Sequence, residues 1–161
     1  MIERLSAIEM AAKNELIEKE YYEKLLKTTT TPLGKSIFER LAYEEKIHYE
    51  GLKELYEEVQ RDGKLPDPLP SIFKKTNIQE ILETLMLNTA EIPTISKDDL
   101  ENINRSMVLE GKVVIFYERL LDKTSDPGIR SLFELFVNVE RKHSQFLKDI
   151  KEFLVKAMFV E

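Results

Sequence analysis

An all-α fold, a four-helix bundle made of two repeated helical hairpins joined by a long crossover, is what this sequence of 161 residues predicts. Three observations lead there. Charged residues make up 34% of the chain while only 5 Gly and 6 Pro interrupt it, a balance that suits long helices. Apolar residues recur at alternating steps of three and four in four separate stretches, the spacing that lines one face of a helix, and strand-like alternation between turn residues is missing. The chain also repeats itself: an offset of 95 carries residues 15–55 onto 110–150 without a gap, matching Glu15 with Glu110, Tyr22 with Tyr117, Pro32 with Pro127, Phe38 with Phe133, Glu45 with Glu140 and His48 with His143.

The first helix is expected from about Glu3 to Lys27, with an inner seam of Leu5, Ile8, Ala12, Glu15, Tyr22 and Leu26 and with Lys19 as its one misfit. Thr28 to Thr31 break it. Thr31 reads as an N-cap and Pro32 as the first helical residue, where a missing N–H costs nothing. The second helix continues to about Val59 along Phe38, Leu41, Glu45, His48, Leu52, Leu55 and Val59, so that the first hairpin covers about 3–59.

A crossover follows over about 60–96. Asp62-Gly63 stops the second helix, and the run Leu65-Pro66-Asp67-Pro68-Leu69-Pro70 is too rich in proline to be helical. A short amphipathic helix is expected from Asn77 to Leu87, with Asn77 and Glu80 as its capping pair, and Pro93 ends the connector. Ser96-x-x-Asp99 opens the third helix in capping-box fashion, with seam Leu100, Ile103, Met107, Glu110, Val114, Tyr117 and Leu121. Asp126-Pro127 repeats the device of Thr31-Pro32. The fourth helix carries Phe133, Phe136, Glu140, His143, Leu147, Ile150 and Leu154, and the second hairpin spans about 97–159. The whole is one domain, 1–161, of a length that can bury its own core.

Composition narrows the function. A net charge of −6 and a pI near 5.2 weigh against nucleic acid or an anionic membrane as partner. No apolar run approaches the ~20 residues of a membrane span. The opening Met-Ile-Glu-Arg lacks the apolar core of a signal peptide, so a cytoplasmic location is expected. Cysteine is absent, which excludes thiol nucleophiles, disulfides and thiolate metal centres. Any metal must be held by oxygen and imidazole, ligands that suit Fe or Mn, with Zn possible.

The only two histidines sit in matching stretches, Glu45-x-x-His48 and Glu140-x-x-His143. Residues three apart share a helix face, so each pair aims a carboxylate and an imidazole at one point. The turns give a geometric check. Glu15 and Glu45 are equidistant from Thr30, and Glu110 and Glu140 are equidistant from Ser125. In an antiparallel hairpin such pairs lie at one height, here about 20 Å from the turn at ~1.5 Å per residue. All six residues lie in apolar seams, where an unpaired carboxylate costs several kcal/mol and clustered ones repel. Two divalent cations would cancel four glutamates and leave both imidazoles neutral, so a two-metal site is expected. The competing reading puts the glutamates in solvent and the histidines in the core. It leaves the repeat, the turn symmetry and the seam positions as coincidences.

Other features carry less. Tyr22 and Tyr117 lie two turns beyond Glu15 and Glu110, placed either to hydrogen-bond ligand carboxylates or act as redox neighbours, or to fill the core. Glu18, one turn from Glu15, is a further carboxylate for which a solvated face is expected. Gly111 beside Glu110 marks either a distorted turn or tight packing. The apolar residues from Phe153 to Val160 exceed one seam and are expected to cover the bundle end or a subunit contact, in a homodimer or higher homo-oligomer.

On these residues the sequence resembles the ferritin-like di-iron carboxylate proteins, and within them the rubrerythrin-like branch, from about Ile8 to Phe153. The stretches beginning Glu15-Leu-Ile-Glu and Glu110-Gly-Lys-Val look like that family's first and third helices. The resemblance implies two iron ions held by Glu15, Glu45, His48, Glu110, Glu140 and His143, with Glu45 and Glu140, or Glu15 and Glu110, partly bridging. Two departures stand out. With no cysteine there is no rubredoxin-like iron–thiolate centre, so an external electron donor is implied. The extra glutamate that rubrerythrins tend to carry one turn from the third-helix ligand is missing, since Met107, Val113 and Val114 occupy those turns. The crossover is longer than in ferritins and no separate fifth helix is evident, so cage assembly is not implied. The expected function is a di-iron oxidoreductase acting on peroxide, dioxygen or ferrous iron. A non-catalytic protein that buffers or senses metal is the alternative, and a dimanganese catalase-like activity is a third option.

Overall fold

The computed structural model describes residues 3–87 and 94–159. Four long helices, α1 (Arg4–Thr28), α2 (Pro32–Asp62), α4 (Lys97–Asp122) and α5 (Pro127–Phe159), make the bundle, and the crossover carries a 3-10 turn (Ser71–Phe73) and α3 (Gln79–Leu87). Among the described residues there is no strand, and no helix is long and apolar enough to cross a membrane.

The turns show why the hairpins close. Thr29 returns both its N–H (2.9 Å) and its hydroxyl (2.8 Å) to the Leu25 carbonyl, sealing the end of α1. Pro32 starts α2 as expected, but the Thr31 side chain does not cap it. Its hydroxyl and its N–H both go to the buried Asp99 carboxylate at the start of α4. The expected cap is therefore a strap between the two hairpins. The caps at Ser96, which accepts the Asp99 N–H at 3.1 Å, and at Asp126, which accepts from Gly128 and Ile129, form as their spacing predicts. α2 runs past Val59 to Asp62, because the stop is set by Gly63 in the left-handed region at φ 76°, with its N–H on Val59 O at 2.8 Å. α3 begins at Gln79 and not at Asn77, whose N–H turns away to Glu44. Pro93 lies outside the described residues.

Tyr22 meets Glu110 while Asn14 meets Tyr117, so α1 and α4 run antiparallel. α5 faces α2 through His143 and Glu44. At one end of the bundle Arg4 joins three elements, donating to Asp126 (2.6 Å) and to the Gly63 carbonyl (2.7 Å). The crossover lies against α2 and α5: Phe73 is fully buried, with its ring 5.4 Å from that of Phe136. Gly51 permits this, since a Cβ there would come within 2.8 Å of the Phe73 ring.

The core is divided in two. One apolar cluster gathers Ile8, Leu55, Tyr117 and Phe133, and the other gathers Phe38, Leu41, Ile103 and Leu147. On every long helix the glutamates and histidines of interest fall between residues of one cluster and residues of the other. Each buried aliphatic or aromatic side chain stabilises by about 1.5–3 kcal/mol, and two such blocks hold a polar layer between them.

Two seams are rotated by one residue from the expected ones. In α1 the buried positions are Ala7, Ile8, Ala11, Glu15, Glu18 and Tyr22, so Lys19 is not a misfit in the seam but pairs outside it with Glu23 at 2.8 Å. In α4 they are Asp99, Ile103, Ser106, Glu110, Val113, Tyr117 and Leu120, leaving Val114 and Leu121 half-buried. Steps of three and four can alternate in either order, and hydropathy alone does not choose between them. At the C-terminal end Leu154 is buried and Phe153, Val155 and Ala157 are half-buried. The side chains from Met158 onward lie outside the described residues.

Candidate metal centre

The bundle brings all six sequence-predicted residues to one place. Glu15, Glu45, Glu110, Glu140 and His143 are 0% exposed and His48 is 1% exposed. Two groups have one ligating atom per residue within 4.8 Å of one another: Glu15, Glu45 and His48, and Glu45, Glu110, Glu140 and His143. A third of the same kind joins Glu15, Glu18, Glu45 and Glu140. Glu45 belongs to all three and Glu15 and Glu140 to two each, so Glu45 occupies the middle of the cluster.

Glu18 corrects the sequence reading. The one-residue rotation of the α1 seam takes it out of the solvent and buries it completely. Asn14 donates to its Oε2 at 2.9 Å and leaves Oε1 with no partner. Tyr22 and Tyr117 divide in role. Tyr22 donates to Glu110 Oε1 at 2.5 Å, across the bundle. Tyr117 touches no carboxylate; it accepts from Asn14 at 3.3 Å, gives a long hydrogen bond to the Ala11 carbonyl, and stacks on Phe136. Gly111 fits neither expectation, since α4 passes through it as regular helix and a Cβ there would meet nothing within 4 Å.

The imidazoles are placed differently. His48 Nδ1 lies 3.1 Å from Glu15 Oε1, and its ring packs edge-on against Phe136 and near Phe73. His143 turns Nδ1 to the cluster, 3.2 Å from Glu45 and 3.7 Å from Glu140, and Nε2 outward to Glu44 at 2.9 Å. Glu44 did not stand out in the sequence because it sits one position off the α2 seam. The crossover covers that side of the helix, and neither its course nor its contacts can be read from residue spacing.

The electrostatics are those of carboxylates crowded together out of water. Burial pushes up Glu45, with the Glu15 charge adding to it, and Glu110, with Glu140 adding to it. Burial and the charges of Glu45 and Glu15 raise Glu140 to about 7. Glu18 is pushed well above the carboxylate range by burial and by the neighbouring glutamates. Burial would raise Glu15 too, but the hydrogen bond and charge of His48 outweigh it and hold Glu15 below the ordinary carboxylate value. Burial would lower His143, but Glu140, Glu44 and Glu45 hold it well above the imidazole range.

Divalent cations fit this arrangement. Both oxygens of Glu45 and of Glu140, Glu110 Oε2, Glu18 Oε1 and His143 Nδ1 are buried without a hydrogen-bond partner. Native interiors pair nearly all such atoms, and a cluster of unpaired acceptors around one point is what coordination would satisfy. Oxygen and imidazole donors are the set preferred by Fe and Mn.

No curated protein and no solved structure gives a significant match to the chain. The rubrerythrin family model does, over residues 6–151, a span that takes in most of both hairpins, the crossover and every residue of the cluster. With an all-α bundle and a buried carboxylate–imidazole layer of this kind, the chain belongs to the rubrerythrin family.

Proposed function

We propose that the cluster holds two iron ions and that the protein is a di-iron oxidoreductase, reducing peroxide or dioxygen or oxidising ferrous iron, with electrons drawn from an external donor. The observation that carries this reading is the convergence of seven partnerless buried ligand atoms on the centre of a bundle of this family. One ion would be held by Glu15, His48 and Glu45, and the other by Glu110, Glu140, His143 and Glu45. Glu45, common to both sets, would serve both ions. Iron in such a site supplies Lewis acidity and one-electron redox steps.

The chain's own residues supply the rest. Four glutamates balance two divalent ions, so the fifth, Glu18, keeps a proton. Asn14 occupies its Oε2, which leaves Oε1 to carry that proton toward the cluster. Tyr22 keeps its phenolic proton, because burial and Glu110 push its ionisation well up, and it delivers a fixed hydrogen bond to Glu110. The two apolar clusters exclude bulk water from above and below. A cleft of about 240 Å³ reaches His48 and Glu44 from the surface, passing Arg40 and Lys75. Arg40 and Lys75 at its side suit the entry of small neutral or anionic oxidants.

The test is to load the protein with Fe²⁺ under anaerobic conditions and then add peroxide or air. Rapid growth of ferric absorbance, repeated when a reductant is supplied, is the expected result. Two ions bound with no oxidation chemistry would overturn the enzymatic reading in favour of metal storage or sensing.

A further inference from the structure

We infer that Glu44 is a positioning residue that acts through His143 and makes the two metal positions unequal. The inference rests on the two-ion reading above. Glu44 is 5% exposed and uses both of its oxygens. Oε1 meets His143 Nε2 at 2.9 Å and accepts the Thr76 hydroxyl, and Oε2 accepts the Asn77 N–H at 3.3 Å. His143 reaches the cluster through Nδ1, so a bond from Nε2–H to Glu44 fixes both the tautomer and the ring plane that coordination requires. A carboxylate behind an imidazole also makes the ring a stronger donor to a cation in front of it.

Among the described residues no second carboxylate stands behind His48 in this way. The internal offset that maps His48 onto His143 maps Glu44 onto Val139, which is buried. The His48 ring is packed by the Phe73 and Phe136 rings instead. One imidazole is thus hydrogen-bonded from behind by a carboxylate, and the other is packed by two aromatic rings beside a surface cleft, although the two Glu-x-x-His pairs are alike. The position at His143 binds its ion more tightly than the position at His48. Thr76 and Asn77 belong to the crossover, so this segment is joined by hydrogen bonds to one metal position and not to the other.

The experiment is an anaerobic titration of the full-length, metal-free protein with Co²⁺, followed by calorimetry and by the visible absorption of the bound ion. The wild type should take up two ions in two resolved steps. Glu44→Ala should weaken the tighter step 10- to 100-fold, the range expected when a partner behind a ligand is removed, and leave the weaker step unchanged. Glu44→Gln still accepts from Nε2–H but carries no charge, and should fall between the two. It also decides the matter should the alanine variant not fold. A weakening of one step alone, with that step's absorption spectrum altered, supports the assignment. Steps that are both unchanged, or both weakened equally, overturn it. Failure of the wild type to bind two ions would sink the two-ion reading itself, a result distinct from either.

Discussion

The first hairpin carries Asn14, Glu18 and Glu44 at the positions where the second carries Leu109, Val113 and Val139. The ligand candidates themselves repeat without change. Each of the three polar residues touches the cluster or a residue in it: Asn14 holds Glu18 and Glu15, Glu18 enters the carboxylate layer, and Glu44 holds His143. Their counterparts in the second hairpin are apolar packing. The comparison teaches that a repeat can supply a symmetric set of ligands while its mismatches make the surroundings of the two halves differ. Tyr22 and Tyr117 follow the same rule, since identical residues find a carboxylate on one side and a main-chain carbonyl on the other.

The largest effect should come from the residue that the two halves share. Glu45→Ala removes a member of every group and should leave the gel-filtered protein with close to no bound metal. Glu15→Ala leaves the set of Glu45, Glu110, Glu140 and His143 intact and should retain one ion per chain. Equal losses in the two variants, measured by elemental analysis, would break the division into two positions.

Metal-free protein should depend on pH in a defined sense. The Glu140 carboxyl ionises near 4.5 when unfolded and near 7 when folded. Between those values the unfolded chain releases a proton that the folded chain keeps, so stability falls as pH rises, by about 3 kcal/mol from this group. Above the folded value the loss is complete. Glu45, Glu110 and Glu18 are also raised and act in the same sense. His143 is raised as well; its contribution is full below 6.5 and lost as pH climbs through its folded value. Glu15 and Glu44 are lowered, and theirs is present above 4.5 and lost only as pH falls below it. Urea unfolding of metal-free protein should therefore show a maximum near pH 4.5–5 and a decline toward neutrality. A stability that rises from pH 5 to 7 would contradict the buried acidic layer.

Two smaller contrasts sharpen the comparison. Tyr22→Phe removes a short hydrogen bond to a buried carboxylate and should cost about 2 kcal/mol, whereas Tyr117→Phe removes only long contacts and should cost under about 1 kcal/mol. Equal costs in thermal unfolding would mean that the two sides are alike after all. Glu18→Gln keeps the shape while removing a carboxyl whose ionisation burial and the neighbouring glutamates push well up, and should raise the stability of the metal-free protein at neutral pH. A loss of stability on that change would place Glu18 outside the repelling cluster.

Much of this was legible because it rests on period and symmetry. His48 and His143, each with a glutamate one turn before it, fix the face of α2 and α5, and the turn distances of Glu15 and Glu110 fix the level. The α2 and α5 seams appear at the residues expected, since phenylalanine and leucine leave no doubt about their phase. The α1 and α4 seams are mixed sequences in which Ala11 competes with Ala12, and Val113 with Val114. There the phase was ambiguous by one residue, and that ambiguity hid Glu18. Asn14 and Glu44 were hidden for a different reason. Asn14 reaches Glu18 one turn along its own helix, a contact that shows only once Glu18 is seen to face inward, and the partners of Glu44 lie on α5 and on a crossover whose path no local pattern fixes. Comparing the two halves for polar-to-apolar mismatches would have pointed to all three.

The most direct test of the central claim, that these buried carboxylates and imidazoles converge because cations neutralise them, is the metal content of the purified protein read together with its melting temperature before and after chelation. Two divalent ions per chain, and a fall of about 10 °C or more when they are removed, are predicted from the coupling of tight binding to folding. A protein that holds no divalent metal, and melts at the same temperature with or without chelator, would contradict the account.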